Sequence, residues 1–258
     1  MKKKDLLIYP LNLGTLVSID KSVFTLLRNQ GSKIDAPILA WAILGGTKNI
    51  LVDTGPCDMD WASRYHRPIK KESSQEIVNA LKKIGLSPND VDLVILTHLH
   101  WDHCFNLEYF PNATFFVQRE ELKYAVDPLP MDKRPYEIGI PEIQPPWMKI
   151  FGKIIVTGKE DEIIPGVRVM HLPGHTPGMQ GVVVNTSAGE WIIAGDNVPL
   201  YDNWEGDNAL KHIPSPVYQN MYDYNISLNR IDSFGNNVLP GHDYKVLKNE
   251  TYPIVKNK

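Results

Sequence analysis

The 258-residue chain sets 27 lysine and arginine side chains against 30 aspartate and glutamate side chains, a net charge of -3. That balance excludes a broad basic surface for nucleic acid, and no apolar run approaches the roughly 18 residues that span a bilayer. With 43% apolar and 22% charged residues, the composition is that of a globular chain able to bury a large core. The lysines at positions 2, 3 and 4 are expected to be a solvated end. Leu6-Leu7-Ile8 before Tyr9-Pro10 is too short for the apolar stretch of a secretory signal. Cys57 and Cys104 match no CxxC spacing, so a cytoplasmic location without disulfides is expected.

The first third reads as short strands over 5–9, 11–18, 37–44 and 49–53, the last two joined by a Gly45-Gly46 hairpin signal. Residues 57–71 are polar, aromatic and irregular. A helix is predicted over 73–84: Ser73 and Glu76 fit a capping box, Ile77, Leu81 and Ile84 share a face, and Gly85 ends it. A buried strand follows over 91–96, then a strand over 114–117 and a helix over 119–125. Residues 127–147 carry prolines at 128, 130, 135, 141, 145 and 146 with Tyr136 and Trp147 among them. Such an insertion reads as a packed lid or a contact with a second copy of the chain rather than as a linker. Strands resume over 154–156, 166–172, 181–185, 190–194 and 237–239. Between the last two, Val217, Met221, Tyr224, Leu228 and Ile231 keep helical spacing over 216–234, a stripe expected to face the core. No composition shift marks a boundary, so residues 1–258 are read as one domain.

Strand 91–96 delivers Thr97-His98-Leu99-His100-Trp101-Asp102-His103. Three imidazoles and a carboxylate exceed what one cation uses. His98 and His100 alternate as at a strand end and can face one side, while Asp102 and His103 project differently and reach a second centre. Neutral imidazole and carboxylate suit zinc, iron, manganese or cobalt. Further along, His175, Asp196 and His242 each follow a glycine just past the end of a short apolar strand, where sheet-based folds gather their chemistry. His66, His171 and His212 lack that setting and are assigned no metal role.

The order HxHxDH, His, Asp, His, with Leu51-Val52-Asp53-Thr54-Gly55 before it and the later Pro-Gly-His and Gly-Asp phrases, resembles the metallo-β-lactamase superfamily over nearly the whole chain. The resemblance implies an α/β fold, a four-layer αβ/βα sandwich with a dinuclear site at one edge of two sheets. His98, His100 and His175 would hold one metal, Asp102, His103 and His242 the other, with Asp196 bridging and Asp53 orienting a ligand. Two such cations, zinc in this reading, would activate a shared water and polarise a substrate oxygen.

Within the superfamily, Asp196 stands where many β-lactamases have a cysteine, which disfavours penicillin hydrolysis. The chain ends soon after His242, leaving little room for the helical extension of glyoxalase-II-type thioesterases. The layout, with Gly174-His175-Thr176-Pro177-Gly178 and Gly241-His242-Asp243, is most similar to the N-acyl-homoserine lactonases. In that family a tyrosine soon after the bridging aspartate holds the lactone oxygen. Here Pro199 occupies the matching spacing, and Tyr201 is the nearest tyrosine. The expectation is a hydrolase that opens a small-molecule lactone by attack of the metal-bridging hydroxide. Asp102 would pass a proton to the leaving alkoxide, and Tyr201 would assist at the carbonyl. A thioesterase or other small-ester hydrolase is the alternative. Trp101, Trp147, Tyr136 and Trp204 are candidates for an apolar pocket.

Overall fold

Eight consecutive buried residues, 36–43, mark the strand on which the fold is built. A strand apolar on both faces belongs in the middle of a covered sheet. In the computed structural model, which describes residues 5–254, that strand is β2 (Lys33–Leu44). Lysines 2, 3 and 4 lie outside the described residues. The order of elements is β1 (Leu7–Asp20), β2, β3 (Ile50–Val52), α1 (Met59–Tyr65), β4 (Ile69–Lys70), α2 (Ile77–Lys83) and β5 (Leu93–Ile95). Next come α3 (Trp101–Cys104), β6 (Thr114–Gln118), α4 (Arg119–Val126), α5 (Pro146–Lys149) and β7 (Ile154–Thr157). The second half holds β8 (Glu160–Ile164), β9 (Val167–His171), β10 (Gln180–Thr186), β11 (Gly189–Gly195), α6 (Tyr201–Glu205), α7 (Met221–Ile231) and β12 (Val238–Pro240).

A seven-stranded sheet runs β4-β1-β2-β3-β5-β6-β7, and a five-stranded sheet runs β12-β11-β10-β9-β8. Leu39, Trp41, Ile43, Val52 and Ile95 of the first sheet pack on Val169, Val182, Val184, Ile193 and Leu239 of the second. Ile77, Ala80 and Leu81 of α2 and Ala125 of α4 cover the outer face of the first sheet, and Tyr224, Leu228 and Ile231 of α7 cover that of the second. Each buried valine, leucine or isoleucine among these contributes about 1.5–3 kcal/mol by leaving water. The layers are those of the αβ/βα sandwich.

Five local expectations shift. Residues 57–71, expected to be irregular, hold α1 and β4. The strands expected at 5–9 and 11–18 form one strand through Pro10. There β1 pairs with β2 on one side, and β4 pairs with it only at Thr15 and Leu16, so the missing Pro10 N–H faces no ladder. The capping box sits on Glu72 and Gln75 around a 3₁₀ turn, and α2 starts only at Ile77. Strand β8, absent from the sequence reading, pairs with β9. Helix α7 begins at Met221, capped by the Asn220 side chain, so Val217 lies in the preceding loop, 44% exposed rather than core-facing.

Candidate functional site

Strands β3, β5, β9, β11 and β12 end at one edge of the sandwich, and their following residues turn inward together. Three clusters form, each with ligand-type atoms within 4.8 Å of one another: His98, His100 and His175; His98, His103 and Asp196; Asp102, His103 and His242. Nδ1 of His100 lies 3.2 Å from Nε2 of His175. The Asp196 carboxylate divides between the two sides. Its Oδ2 is 3.5 Å from His175 Nε2, and its Oδ1 is 3.3 Å from His103 Nε2 and 3.2 Å from His242 Nε2. Asp102 Oδ2 stands 3.8 Å from His103 Nε2 and 3.9 Å from His242 Nε2. This approach of Asp196 is the reason for Gly241, because a β-carbon there would sit 2.7 Å from Asp196 Oδ1.

The outer nitrogens are committed. His103 Nδ1–H donates to Asp53 Oδ2 at 2.9 Å, His175 Nδ1–H to the Val217 carbonyl at 3.0 Å and His242 Nδ1–H to the Pro37 carbonyl at 2.9 Å. Asp53 also accepts from Thr97 N and Thr97 Oγ1, both at 2.8 Å. Hydrogen bonds of this kind fix tautomer and ring orientation in metal-binding histidines. The inner atoms are left over: His98 Nε2, His103 Nε2 and Asp196 Oδ1 are buried without a hydrogen-bond partner. Orphaned acceptors that converge across an ordinary ligand distance are what a cation resolves. The donor set fits two divalent metals.

The electrostatics divide along the same line. Burial, reinforced by the neighbouring imidazoles, holds His98 and His100 well below the usual histidine value, and burial also lowers His175. Burial acts the same way on His103 and His242, but the Asp196 and Asp102 carboxylates outweigh it and raise both. Against burial, His242 and His103 beside it press Asp196 well below the carboxylate range.

A second buried carboxylate, which the sequence reading missed, clamps the site from behind. Glu121 Oε1 accepts from Leu99 N at 2.9 Å and from Tyr136 Oη at 2.7 Å, and Oε2 accepts from Thr176 Oγ1 at 2.6 Å. Burial pushes the group upward, and these hydrogen bonds oppose it. One side chain thereby ties the loop between His98 and His100 to the residue after His175. It also ties both to the 127–147 insertion. Gly178 has to be glycine, since a β-carbon would lie 1.9 Å from Glu121 N.

The clusters open into a cavity of about 170 Å³ that is lined by Leu16, Ile19, Val23, Phe24, Arg67, Trp101, Pro135, Pro199, Ser215 and Val217 beside the ligand residues. Of the aromatic candidates only Trp101 lines it. Tyr136 sets its ring edge-on to His100 at 4.8 Å, Trp147 packs under the first sheet, and Trp204 stacks on His212. Tyr201 is not brought to the site. Leu200 turns toward Trp101 and Phe24, whereas Tyr201 faces the core between the sheets. Burial there, with Tyr252 beside it, raises the phenol. Pro199, the residue at the family's tyrosine spacing, does line the cavity.

The metallo-beta-lactamase superfamily profile matches residues 35–248. A Bacillus sp. N-acyl homoserine lactonase is 28% identical over 200 residues, covering 73% of this chain and 75% of that protein. A probable metallo-hydrolase of Methanocaldococcus jannaschii is 30% identical over 178 residues, covering 69% and 70%. A solved structure of a Bacillus thuringiensis AiiA variant, with N-decanoyl-L-homoserine bound at its active site, superposes with a TM-score of 0.75 at 24% identity, covering 96% of each chain. The chain belongs to the metallo-β-lactamase superfamily. It is a metal-dependent hydrolase of that fold, similar in sequence to the N-acyl homoserine lactonases.

Proposed function

We propose that this protein opens lactones, hydrolysing a cyclic ester to the hydroxy acid at a two-zinc centre. One observation carries the reading. Two cation nests share the Asp196 carboxylate at the base of a small, apolar-walled cavity, in a chain whose sequence resembles lactonases. Imidazole and carboxylate donors without a thiolate fit zinc. His98, His100 and His175 would hold one ion and Asp102, His103 and His242 the other, with Asp196 between them. When bound, such a pair lowers the pKa of water towards neutrality and polarises the ester carbonyl.

The chain's own residues do the rest. Leu16, Ile19, Phe24 and Trp101 exclude water and seat the apolar part of the substrate. Asp102, at the cavity wall, takes the proton released on attack and delivers it to the ring oxygen as the acyl C–O bond breaks. The two unbridged, buried cysteines fit a reducing, cytoplasmic compartment. N-acyl homoserine lactones, and with them quorum quenching, are the first substrate class to try.

The test is a panel of lactones, S-acyl thioesters, β-lactams and phosphodiesters against zinc-reconstituted protein, with acid release followed continuously. Lactones are expected to lead, and His103→Ala or Asp196→Ala to remove metal and nearly all turnover. Thioesters leading, or either variant keeping parental metal content and rate, overturns the assignment.

A further inference from the structure

Among the residues lining the metal cavity, Arg67 is the one lysine or arginine. It makes no ion pair or hydrogen bond among the described residues, whereas Arg64 pairs with Glu142 and Lys71 with Glu76. The Ser215 hydroxyl already lies 3.4 Å from the Val23 carbonyl and accepts from Val217 N, and Pro199 has no donor at all.

The backbone that presents Arg67 is held firmly. Its neighbour His66 stacks flat on Trp101 with ring centroids 4.4 Å apart, and His66 Nε2–H donates to the buried Glu137 at 2.5 Å. Glu137 also accepts from Trp61 Nε1 at 3.2 Å. The Arg67 side chain is exposed at the rim of the cavity, but its backbone does not float. It follows a residue pinned both to the metal-motif tryptophan and to the 127–147 insertion.

We propose that Arg67 acts in substrate specificity by binding a carboxylate on the lactone, so that of two otherwise matched cyclic esters the anionic one is preferred. A guanidinium is a planar fork that matches a carboxylate with two parallel hydrogen bonds, and charge-assisted pairs of this kind are the strong ones. The assignment rests on the hydrolase reading and narrows its substrate. It places the anionic group at the cavity mouth, away from the reacting carbonyl.

The experiment compares a γ-butyrolactone bearing a ring carboxylate with its carboxamide on zinc-reconstituted parent, Arg67→Met and Arg67→Lys proteins. In the parent, kcat/KM favours the carboxylate about tenfold or more, the scale of one charge-assisted hydrogen bond. Arg67→Met raises KM for the carboxylate by about tenfold with kcat little changed, leaves the carboxamide alone, and is partly rescued by Arg67→Lys. Equal losses on both substrates would assign the arginine to the reacting carbonyl, and no loss on either would leave it without a role; both outcomes overturn the proposal. Binding of glutarate against its monoamide, measured calorimetrically on the same proteins, needs no turnover. An Arg67-dependent preference for glutarate without lactone hydrolysis sinks the lactonase reading alone. Absence of that preference sinks this one.

Discussion

Replacing Glu121 tests whether the two metal-binding loops are held by one carboxylate. Its three donors are of two kinds. The hydroxyls of Tyr136 and Thr176 can rotate towards other acceptors, but the N–H of Leu99 is fixed by the backbone. A buried donor left without a partner costs about 1–3 kcal/mol, so Glu121→Leu, which fills the space and admits no water, should cost about that much from the Leu99 amide alone. Glu121→Gln keeps one carbonyl acceptor and should cost about half as much. Because Leu99 lies between His98 and His100 and Thr176 follows His175, both variants should also bind metal at the three-histidine cluster about 10–100-fold more weakly. Urea unfolding of metal-free protein reads the first effect, and competition with a chromophoric chelator reads the second. A Glu121→Leu protein within about 0.5 kcal/mol of the parent, with both metals held as tightly, refutes the clamp.

Three other outcomes follow from the same geometry. Gly178→Ala drives a β-carbon into the backbone of α4 and should cost more than about 3 kcal/mol, seen as loss of the folded fraction on expression or in urea. Asp53→Asn removes the carboxylate that orients His103 and should weaken one metal by about 10–100-fold in chelator competition; unchanged affinity would contradict the role. The third concerns acid. A hydrogen bond from Arg28, with amides of Ala209 and Leu210, lowers Asp207 to about 2. Its folded-state value lies below its unfolded one, so its contribution is present above the ordinary carboxylate range and fades as pH falls towards about 2. The melting temperatures of parent and Asp207→Asn should therefore differ at neutral pH and converge between pH 4 and pH 2; a constant gap would exclude Asp207 as the source.

The imidazoles and carboxylates that the fold brings together were legible in the sequence because cation binding restricts both residue type and position. Only imidazole and carboxylate will do, and only at strand ends can four distant segments deliver them to one point. The sandwich was legible through β2 and the apolar strands around it, whose patterns allow few other layers. What escaped was set by direction rather than type. Counting along the loop after Asp196 puts Tyr201 near the site. But Leu200 caps α6, and the next residue, already on the helix, points another way, into the core between the sheets. Val217 fits a helical stripe by spacing, yet Asn220 starts the helix later, which frees the Val217 carbonyl to fix His175.

Glu121 and Arg67 escaped for a different reason. Each is a charged residue in an ordinary polar stretch, one at the start of α4 and one in the irregular segment after α1. Composition gives such residues the same appearance whether they are solvated or essential. Only the fold separates them: Glu121 is buried and closed over by three donors, while Arg67, though exposed, borders the cavity with none of its hydrogen bonds spent. Sequence patterns report where the backbone must go and what a metal requires. A substrate's demands are met by single side chains from whichever loop reaches the cavity, so specificity can change without disturbing any periodic signal.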